Sequence, residues 1–439
     1  MIEIVVLGGA FALLLALGVP VAFGIGLATA LALLLLVPPG PALATVAQRT
    51  VAGLDSFPLL AIPFFVLAGE IMDRGGLARR LVDFAKALLA GLPGALAVVH
   101  VAASMLFGSI SGSAVAAASA VGGVLGPRME REGYESETTA AINISSATTG
   151  LVIPPSNILI IYSLASGGTS IAALFLAGYV PGLLLGLALA TTGALLARRT
   201  MVHSPDSAAP VAADDTGRDA VGLSRRFLDA APSLGLLVAV IGGIVGGVFT
   251  ATEAAAVAVA YAAILAAVYR ELRLADAQSV LLGAVTTTAV VLFLVATSSA
   301  MSWALAYERV PQEASRLLLA AVDHPAAILL VINVVLLAVG TVLDMTPAVL
   351  VFTPIFLPVA LELGMDPVHF GIVLVMNLCI GLCTPPVGTV LFVGCGVAGT
   401  GIDRVVRRLL PLWLTMVVVL LVVTYVPQLS LWLPRRLGF

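Results

Sequence analysis

The chain has 439 residues, 60% of them hydrophobic and only 10% charged, with a net charge of −3. An average soluble chain is about 25% charged, so this composition excludes a soluble domain, and the small negative charge speaks against a nucleic-acid partner. No alternating ten-residue strands of the kind that build membrane barrels occur, which leaves an all-α polytopic membrane protein embedded in a lipid bilayer.

In chain order, Ile2–Leu17 and Pro20–Val37 are predicted spans joined at Gly18-Val19-Pro20. They lack a basic n-region and a small-residue cleavage site, so they are taken as mature spans and not as a signal peptide. Phe57–Met72 is the next span. The stretch "DRGGLARRLVDFAKALLAG" (Asp73–Gly91) sets apolar residues at helical spacing opposite Arg79, Arg80 and Lys86, the pattern of a helix lying along the membrane surface. Pro93–Pro127 is an apolar segment interrupted by "FGSISGS" (Phe107–Ser113), and Glu137–Ser170 is broken at Pro154-Pro155. Ala177–Ala197 is a span, and the polar stretch His203–Ser224 divides the chain.

The second half repeats this plan. Pro232–Phe249, Glu253–Tyr269 and Ser279–Ala304 are spans, and Tyr307–Val322 is a second amphipathic arm. Pro325–Glu362 is interrupted near Gly340–Thr346, Val368–Gly396 is broken at Pro385-Pro386, and Leu409–Leu433 is the last span. The halves align without a gap at an offset of 231 residues: Pro127 with Pro358, Gly133 with Gly364, Gly150-Leu151 with Gly381-Leu382, and Pro154-Pro155 with Pro385-Pro386. The expected organisation is a first repeat over residues 1–202 (hairpin 93–127, broken helix 137–170), a cytoplasmic linker over 203–226, and a second repeat over 227–439 (hairpin 325–362, broken helix 368–396).

Positive charge marks the cytoplasmic side of a membrane protein. Gly126–Glu135 contains Arg128 and Arg131, but its repeat partner Leu357–Asp366 contains no basic residue. Ile402–Pro411 contains Arg404, Arg407 and Arg408, but its partner Ile171–Val180 contains none. The bias changes sign between the halves, so the repeats are expected to be inverted. Ten spans and two re-entrant hairpins then place inside all but five of the 21 basic residues, the exceptions being Arg49, Arg309, Arg316, Arg435 and Arg436. Both termini lie outside, hairpin 93–127 enters from the cytoplasm and hairpin 325–362 from the opposite side.

Proline removes a backbone donor and clashes with the preceding turn, and irregular backbone survives at membrane depth only where protein or a wet cavity surrounds it. Inverted repeats with broken helices describe a secondary transporter. Carbonyls freed before each Pro-Pro suit a cation, and the new helix N-terminus beyond it suits an anion. Ser109, Ser111 and Ser113 add hydroxyls at the first tip, Ser156 and Asn157 add polar groups after the first break, and Thr346 and Gly388 are the corresponding candidates in the second half. Asp344 is the clearest acidic residue near a tip, and an ionisable residue within the membrane points to function. No Lys or Arg falls at predicted membrane depth, so an anionic substrate would rest on helix ends, hydroxyls and a co-bound cation. Cys379, Cys383 and Cys395 lie in apolar segments without a His or acidic cluster and are taken as small packing residues.

"IPFFVLAGEIMDRGG" (Ile62–Gly76), "LFGSISGSAVAAASAVG" (Leu106–Gly122), "GLVIPPSNILIIY" (Gly150–Tyr162), "FTATEAAAVAVAYA" (Phe249–Ala262) and "GLCTPPVGTVLFV" (Gly381–Val393) resemble the large membrane subunit of the tripartite ATP-independent periplasmic (TRAP) transporters. Ser109 stands where that family often has Ala, Ala114 where it has a second Ser, and Ala251 where Pro is frequent. The resemblance implies an Na⁺-driven importer of carboxylates in the bacterial inner membrane, moving substrate by an elevator-type motion. It also implies a small membrane subunit of about four spans and a periplasmic substrate-binding protein as partners, with no organic cofactor. The absence of a G-x-x-x-x-G-K loop agrees with ion-driven transport. By resemblance, the Na⁺ sites fall on Ser111, Ser113, Gly150, Val152 and Pro154, and in the second half on Gly340, Asp344, Gly381 and Thr384.

Three other readings compete. A stand-alone Na⁺- or H⁺-coupled dicarboxylate or citrate carrier of related architecture would need no binding protein, and a neighbouring gene for one separates the two. An intramembrane serine protease would pair Ser111 of "SISG" with His100, roughly 16 Å away along a helix at 1.5 Å per residue, and Ser109 occupies the first glycine position of its turn. A channel would not require two inverted cation-and-anion sites.

Overall fold

The computed structural model describes residues 2–77, 80, 83–85, 95–200, 223–321 and 324–439, and these fold as α-helices and short 3₁₀ turns. The fold is all-α, with two helical hairpins and two broken helices. The first interrupted segment is a hairpin of Ala95–Ser111 and Ala114–Arg131, and the second is a hairpin of Pro325–Gly340 and Met345–Glu362. Gly112 turns the first tip at φ +63°, a left-handed conformation that only glycine adopts cheaply. The broken helices are Ser136–Ala147 with Asn157–Ala165, and Pro367–Gly381 with Thr389–Ala398. Both Pro-Pro peptides are cis.

Side-chain contacts define how the repeats meet. Ser136, at the start of the first broken helix, donates to the Ala398 carbonyl at the end of the second (3.3 Å). Tyr162, near the end of the first, donates to the Pro367 carbonyl at the start of the second. At mid-length, Cys379 and Cys383 donate to the carbonyls of Thr148 and Ile144 (3.4 and 3.3 Å). Start meets end, middle meets middle: the two broken helices run antiparallel, and the repeats are inverted. Each hairpin's second helix also packs on the other repeat's second half-helix, Ala114–Arg131 on Thr389–Ala398 and Met345–Glu362 on Asn157–Ala165. The cysteines serve the seam between the breaks.

Glycine sets how closely tip and break approach. A Cβ at Gly150 would lie 2.4 Å from the Gly108 Cα, and one at Gly381 would lie 2.5 Å from the Gly340 carbonyl carbon. In each repeat the hairpin tip is therefore pressed backbone to backbone on its own break.

Around this core stand the long helices Ile171–Thr200 and Ile402–Tyr425, the latter buttressing Ser136–Ala147 and Pro367–Gly381. A second group, made from Ile2–Ala16, Val21–Leu36, Ala61–Arg74, Leu223–Val245, Ala251–Tyr269 and Ala277–Tyr307, packs mainly on itself. A capping box joins Thr250 and Glu253 at the start of Ala251–Tyr269, satisfying two of the N–H groups a helix start leaves open. Six helices among the described residues are long and apolar enough to cross a membrane; the hairpin and broken-helix segments are mostly shorter.

Four sequence boundaries change. A helix at Pro39–Ala52, bent 61° from Phe57–Arg74, fills the stretch between the expected spans Pro20–Val37 and Phe57–Met72. The span expected over Leu409–Leu433 ends at Tyr425, and Gln428–Arg436 is a separate helix beyond Pro427. The span expected at Ala177–Ala197 extends over Ile171–Thr200. Residues 203–222 of the expected linker lie outside the described residues, and 223–226 already belong to Leu223–Val245. Much of the expected surface helix Asp73–Gly91 also lies outside them.

Two outcomes follow from this packing. Cysteine introduced at the half-exposed Arg128 and at the exposed Leu361, both near the hairpin bases, is expected to react with membrane-impermeant reagents from opposite sides; labelling of both from one side contradicts the inversion. Gly150→Ala is expected to cost about 1–3 kcal/mol by overpacking, read as a lower unfolding temperature in detergent, whereas Gly123→Ala, with nothing within 4 Å, is expected to cost nothing.

Candidate functional site

Each hairpin and each broken helix interrupts its backbone hydrogen bonding once, and the four interruptions converge. A cavity of about 210 Å³ is lined by Gly112–Val115, Asn157 and Ile158, Asp344–Thr346, and Thr389 and Val390. These residues open four helices: Ala114–Arg131, Asn157–Ala165, Met345–Glu362 and Thr389–Ala398. Ser113 caps the first, its hydroxyl accepting from the Ala116 N–H at 3.2 Å. The caps of the other three, Ser156, Asp344 and Gly388, make no side-chain capping bond. First-turn N–H groups of three helices are thus left for a ligand, except that of Leu391, which donates to the Leu382 carbonyl at 3.4 Å. Each N-terminus carries roughly half a positive charge, so the four together offset about two negative charges. Among the described residues, no Lys or Arg lines the cavity and Asp344 is the one charged wall residue. The opposite wall comes from the second helix group, through Ile62, Val66, Thr287 and Val291.

The candidates separate on this geometry. Ser113, Asn157, Asp344 and Thr346 line the cavity. Ser109 is buried and donates to the Leu106 carbonyl at 2.9 Å, so its hydroxyl is turned back onto its own helix. Ser156 is buried and donates to the Leu151 carbonyl, closing the break. Gly388 sits at the second break with φ +21°, where a Cβ would lie 2.8 Å from the Thr384 carbonyl oxygen; it supplies conformation and not a contact. Thr287 and Thr389 reach the cavity without having been singled out. The Thr286-Thr287-Thr288 run inside an apolar span was the available signal for Thr287, and position N1 after Gly388 was the signal for Thr389.

Among the cation candidates, Ser111 makes 3.4 Å contacts with the Ser113 backbone. Its carbonyl oxygen lies against the second helix group, 3.1 Å from where a Cβ on Gly69 would be. Among the described residues, no backbone bond outside the helices ends on the carbonyls of Gly150 or Val152, although the Val152 oxygen is pressed against Gly178. Pro154 is buried beside them. In the second half the Gly381 carbonyl accepts from the Thr384 N–H at 2.9 Å. The Thr384 hydroxyl donates to the Ile380 carbonyl and accepts from Trp413 Nε1, each at 2.7 Å. Gly340 is occupied in backbone packing on Gly381. The first break therefore keeps unbonded carbonyls and the second spends more of its own. The two also differ in surroundings: Pro155 faces Phe65, Met72 and Leu236 of the second helix group, but Pro385 and Pro386 are exposed.

His100 is fully buried and hydrogen-bonds Ser146 and Ser104 at 3.2 and 3.4 Å. It does not approach Ser111, so no nucleophile–base pair forms at the tip.

The chain matches the family described as "Tripartite ATP-independent periplasmic transporter, DctM component" over residues 8–429. It is 53% identical to the uncharacterized protein YgiK of Salmonella typhimurium, over 98% of this chain and 97% of that one. It is 40% identical to the C4-dicarboxylate TRAP transporter large permease protein DctM of Pseudomonas aeruginosa, over 90% of this chain and 91% of that one. Among solved structures, that of the Alcanivorax borkumensis YdaH transporter, described as having an unusual topology, covers 91% of this chain and 90% of its own with a TM-score of 0.64 at 15% identity, a likeness of fold. A chain with two inverted hairpin-and-break repeats, matched over residues 8–429 by the family and over 90% of its length by a named large permease, belongs to the DctM component of the TRAP transporters, the large membrane permease subunit, a transport protein and not an enzyme.

Proposed function

We propose that this permease imports a small carboxylate, coupled to Na⁺, across the bacterial inner membrane. The observation that carries the reading is the cavity: three uncapped helix N-termini and a fourth capped one, with no basic side chain, closed on one side by a separate helix group. Backbone N–H groups at helix starts bind carboxylates without a buried guanidinium. Asp344 in the same wall would repel such an anion, and a co-bound cation removes that repulsion. Na⁺ is the proposed ion because the oxygens on offer are hard. Ser111, Ser113 and the Gly150 and Val152 carbonyls serve a first Na⁺ site, with Pro154 fixing the break. Asp344 and the backbone of Gly340, Gly381 and Thr384 serve the second. Asn157, Thr346 and the Ser113 hydroxyl face the substrate.

The division into an outer scaffold and a moving core supports an elevator-type cycle. The wall between them is apolar where Phe65, Met72, Leu236 and Val240 meet Ile110 and Pro155, a surface that slides without breaking hydrogen bonds. The domain limits are those of the repeats, 1–202 and 227–439. The base of hairpin 1, with Arg128, Arg131, Arg404 and Arg408, is assigned to the cytoplasm. The tripartite family supports two partners, a small four-span membrane subunit and a periplasmic binding protein that delivers the substrate. The C4-dicarboxylate relative supports the substrate class.

The test is uptake into proteoliposomes holding this chain and its small subunit, with candidate binding proteins and carboxylates, with and without an Na⁺ gradient. Uptake is expected only with the gradient and a cognate binding protein; uptake driven equally by protons, or without any binding protein, rejects the reading. Asp344→Asn is expected to raise the Na⁺ concentration for half-maximal uptake about tenfold, the worth of one charge-assisted contact. Replacing Pro154-Pro155 by Ala-Ala is expected to abolish Na⁺-driven uptake in protein that still inserts, because a continuous helix re-engages the freed carbonyls. Unchanged Na⁺ dependence leaves the break a packing kink.

A further inference from the structure

A second cavity, of about 60 Å³, lies at the base of hairpin 1, between Ala114–Arg131, Ser136–Ala147 and the end of Thr389–Ala398. A water needs roughly 10–15 Å³ of such space, so a small ion fits with part of its hydration. Two buried polar side chains line it without partners. Asn143 is 2% exposed; its Nδ2 donates to the Ala118 carbonyl at 2.9 Å, which fixes the amide and leaves Oδ1, an acceptor, unbonded. Thr139 is also 2% exposed, and its hydroxyl is unbonded. A buried polar group left without a partner is costly, so two such groups on one cavity call for a ligand.

The surroundings select its charge. Glu130 stands in the cavity wall and is exposed. Its neighbours Glu132, Glu135 and Glu137 pair with Arg128, Arg408 and Arg404, whereas the carboxylate of Glu130 has no ion pair among the described residues. Two helices, Ala114–Arg131 and Thr389–Ala398, end here, and one, Ser136–Ala147, begins. With roughly half a charge per helix end, the two C-termini outweigh the single N-terminus, and Glu130 adds a full negative charge. The lining groups are oxygen acceptors, and Arg131, next to Glu130 on the same helix, is exposed and not part of the cavity wall. Gly122 keeps the wall open, since a Cβ there would lie 2.1 Å from Asn143 Nδ2.

We propose that this cavity binds a partly hydrated monovalent cation of about sodium's size, with Asn143 Oδ1, Thr139 Oγ1 and the Glu130 carboxylate as its protein ligands. The site is separate from the tips and breaks. The helices Ala114–Arg131 and Thr389–Ala398 join the two places: each offers its N-terminus to the anion cavity and its C-terminus to the cation.

The test is equilibrium binding of radiolabelled Na⁺ to the full-length chain in lipid nanodiscs, with K⁺ as competitor, for wild type, Glu130→Gln and Thr139→Val. Glu130→Gln, at an exposed position, is expected to weaken one class of bound Na⁺ about tenfold, the worth of one charge-assisted contact. Thr139→Val, which keeps the side-chain shape, is expected to remove one bound Na⁺ per chain. Unchanged affinity and stoichiometry in both variants overturns the site and leaves a water-filled cavity. The readout is independent of transport: if Asp344→Asn leaves the Na⁺ dependence of uptake unaltered, the coupling assignment fails, and the loss at Glu130 and Thr139 is still measured.

Discussion

In hydrocarbon, each backbone N–H and C=O must find a partner inside the protein. This chain breaks its helices at four places in the middle of its transport core and must answer that constraint four times. It does so by bringing the breaks together. Each tip lies on its own break through a glycine pair, Gly108 on Gly150 and Gly340 on Gly381, at distances that admit no Cβ. Hydroxyls add bonds to carbonyls near the tip and the breaks: Ser156 on Leu151, Ser109 on Leu106, and Thr384 on Ile380. Among the described residues, the backbone groups left open around the tips and breaks are N–H groups facing the cavity and carbonyls beside the first break. The binding groups are the residue of the backbone accounting.

Inversion turns that residue into a site. A single repeat presents two helix N-termini, from its hairpin's second arm and from its second half-helix. Running the second repeat antiparallel to the first, with Ser136 against Ala398 and Tyr162 against Pro367, brings all four N-termini to one level. The dipoles add there because their far ends are displaced to opposite faces. This arrangement dispenses with a buried Arg, which would have to be desolvated at several kcal/mol. The asymmetry between the breaks fits the same picture. The first, with free Gly150 and Val152 carbonyls, faces the second helix group, whereas the second, with Pro385 and Pro386 exposed, has tied its Thr384 hydroxyl to Trp413.

Much of this was legible in the sequence because helix breakers act locally. Gly112 and the two Pro-Pro pairs announce the tip and the breaks wherever the chain goes afterwards, and the flipped arginine bias announces the inversion. Pro39–Ala52 was not legible: it begins at Pro38-Pro39-Gly40 and carries Gln48 and Arg49, so its composition is that of a loop, and packing on Ala277–Tyr307 and Val21–Leu36 makes it a helix. At the site, residue type was readable but direction was not. Ser109 and Ser113 are both tip serines, yet one hydroxyl is folded onto Leu106 and the other stands at the cavity. Thr287 escaped because it comes from the other helix group, and no local pattern relates it to a break far away in the chain.

The repeats also share a tie that the sequence alignment conceals. In the first, His100 of the hairpin's first arm hydrogen-bonds Ser146 of the broken helix at 3.2 Å. In the second, Asn377 of the broken helix donates to Asn333 of the hairpin's first arm at 2.9 Å. Ser146 and Asn377 are separated by the repeat offset of 231, so the same junction is made twice with different chemistry. All four residues are at most 2% exposed. Breaking such a bond without water at hand strands a polar group, so hairpin and broken helix are held as one body in each repeat. The contrast with the apolar wall of Phe65, Met72 and Leu236 is energetic. Within the core, relative movement of a hairpin and its broken helix would break buried hydrogen bonds. Across the wall, movement exchanges one set of dispersion contacts for another at little cost. The elevator motion proposed above would then follow the apolar wall, with each hairpin and its broken helix moving together.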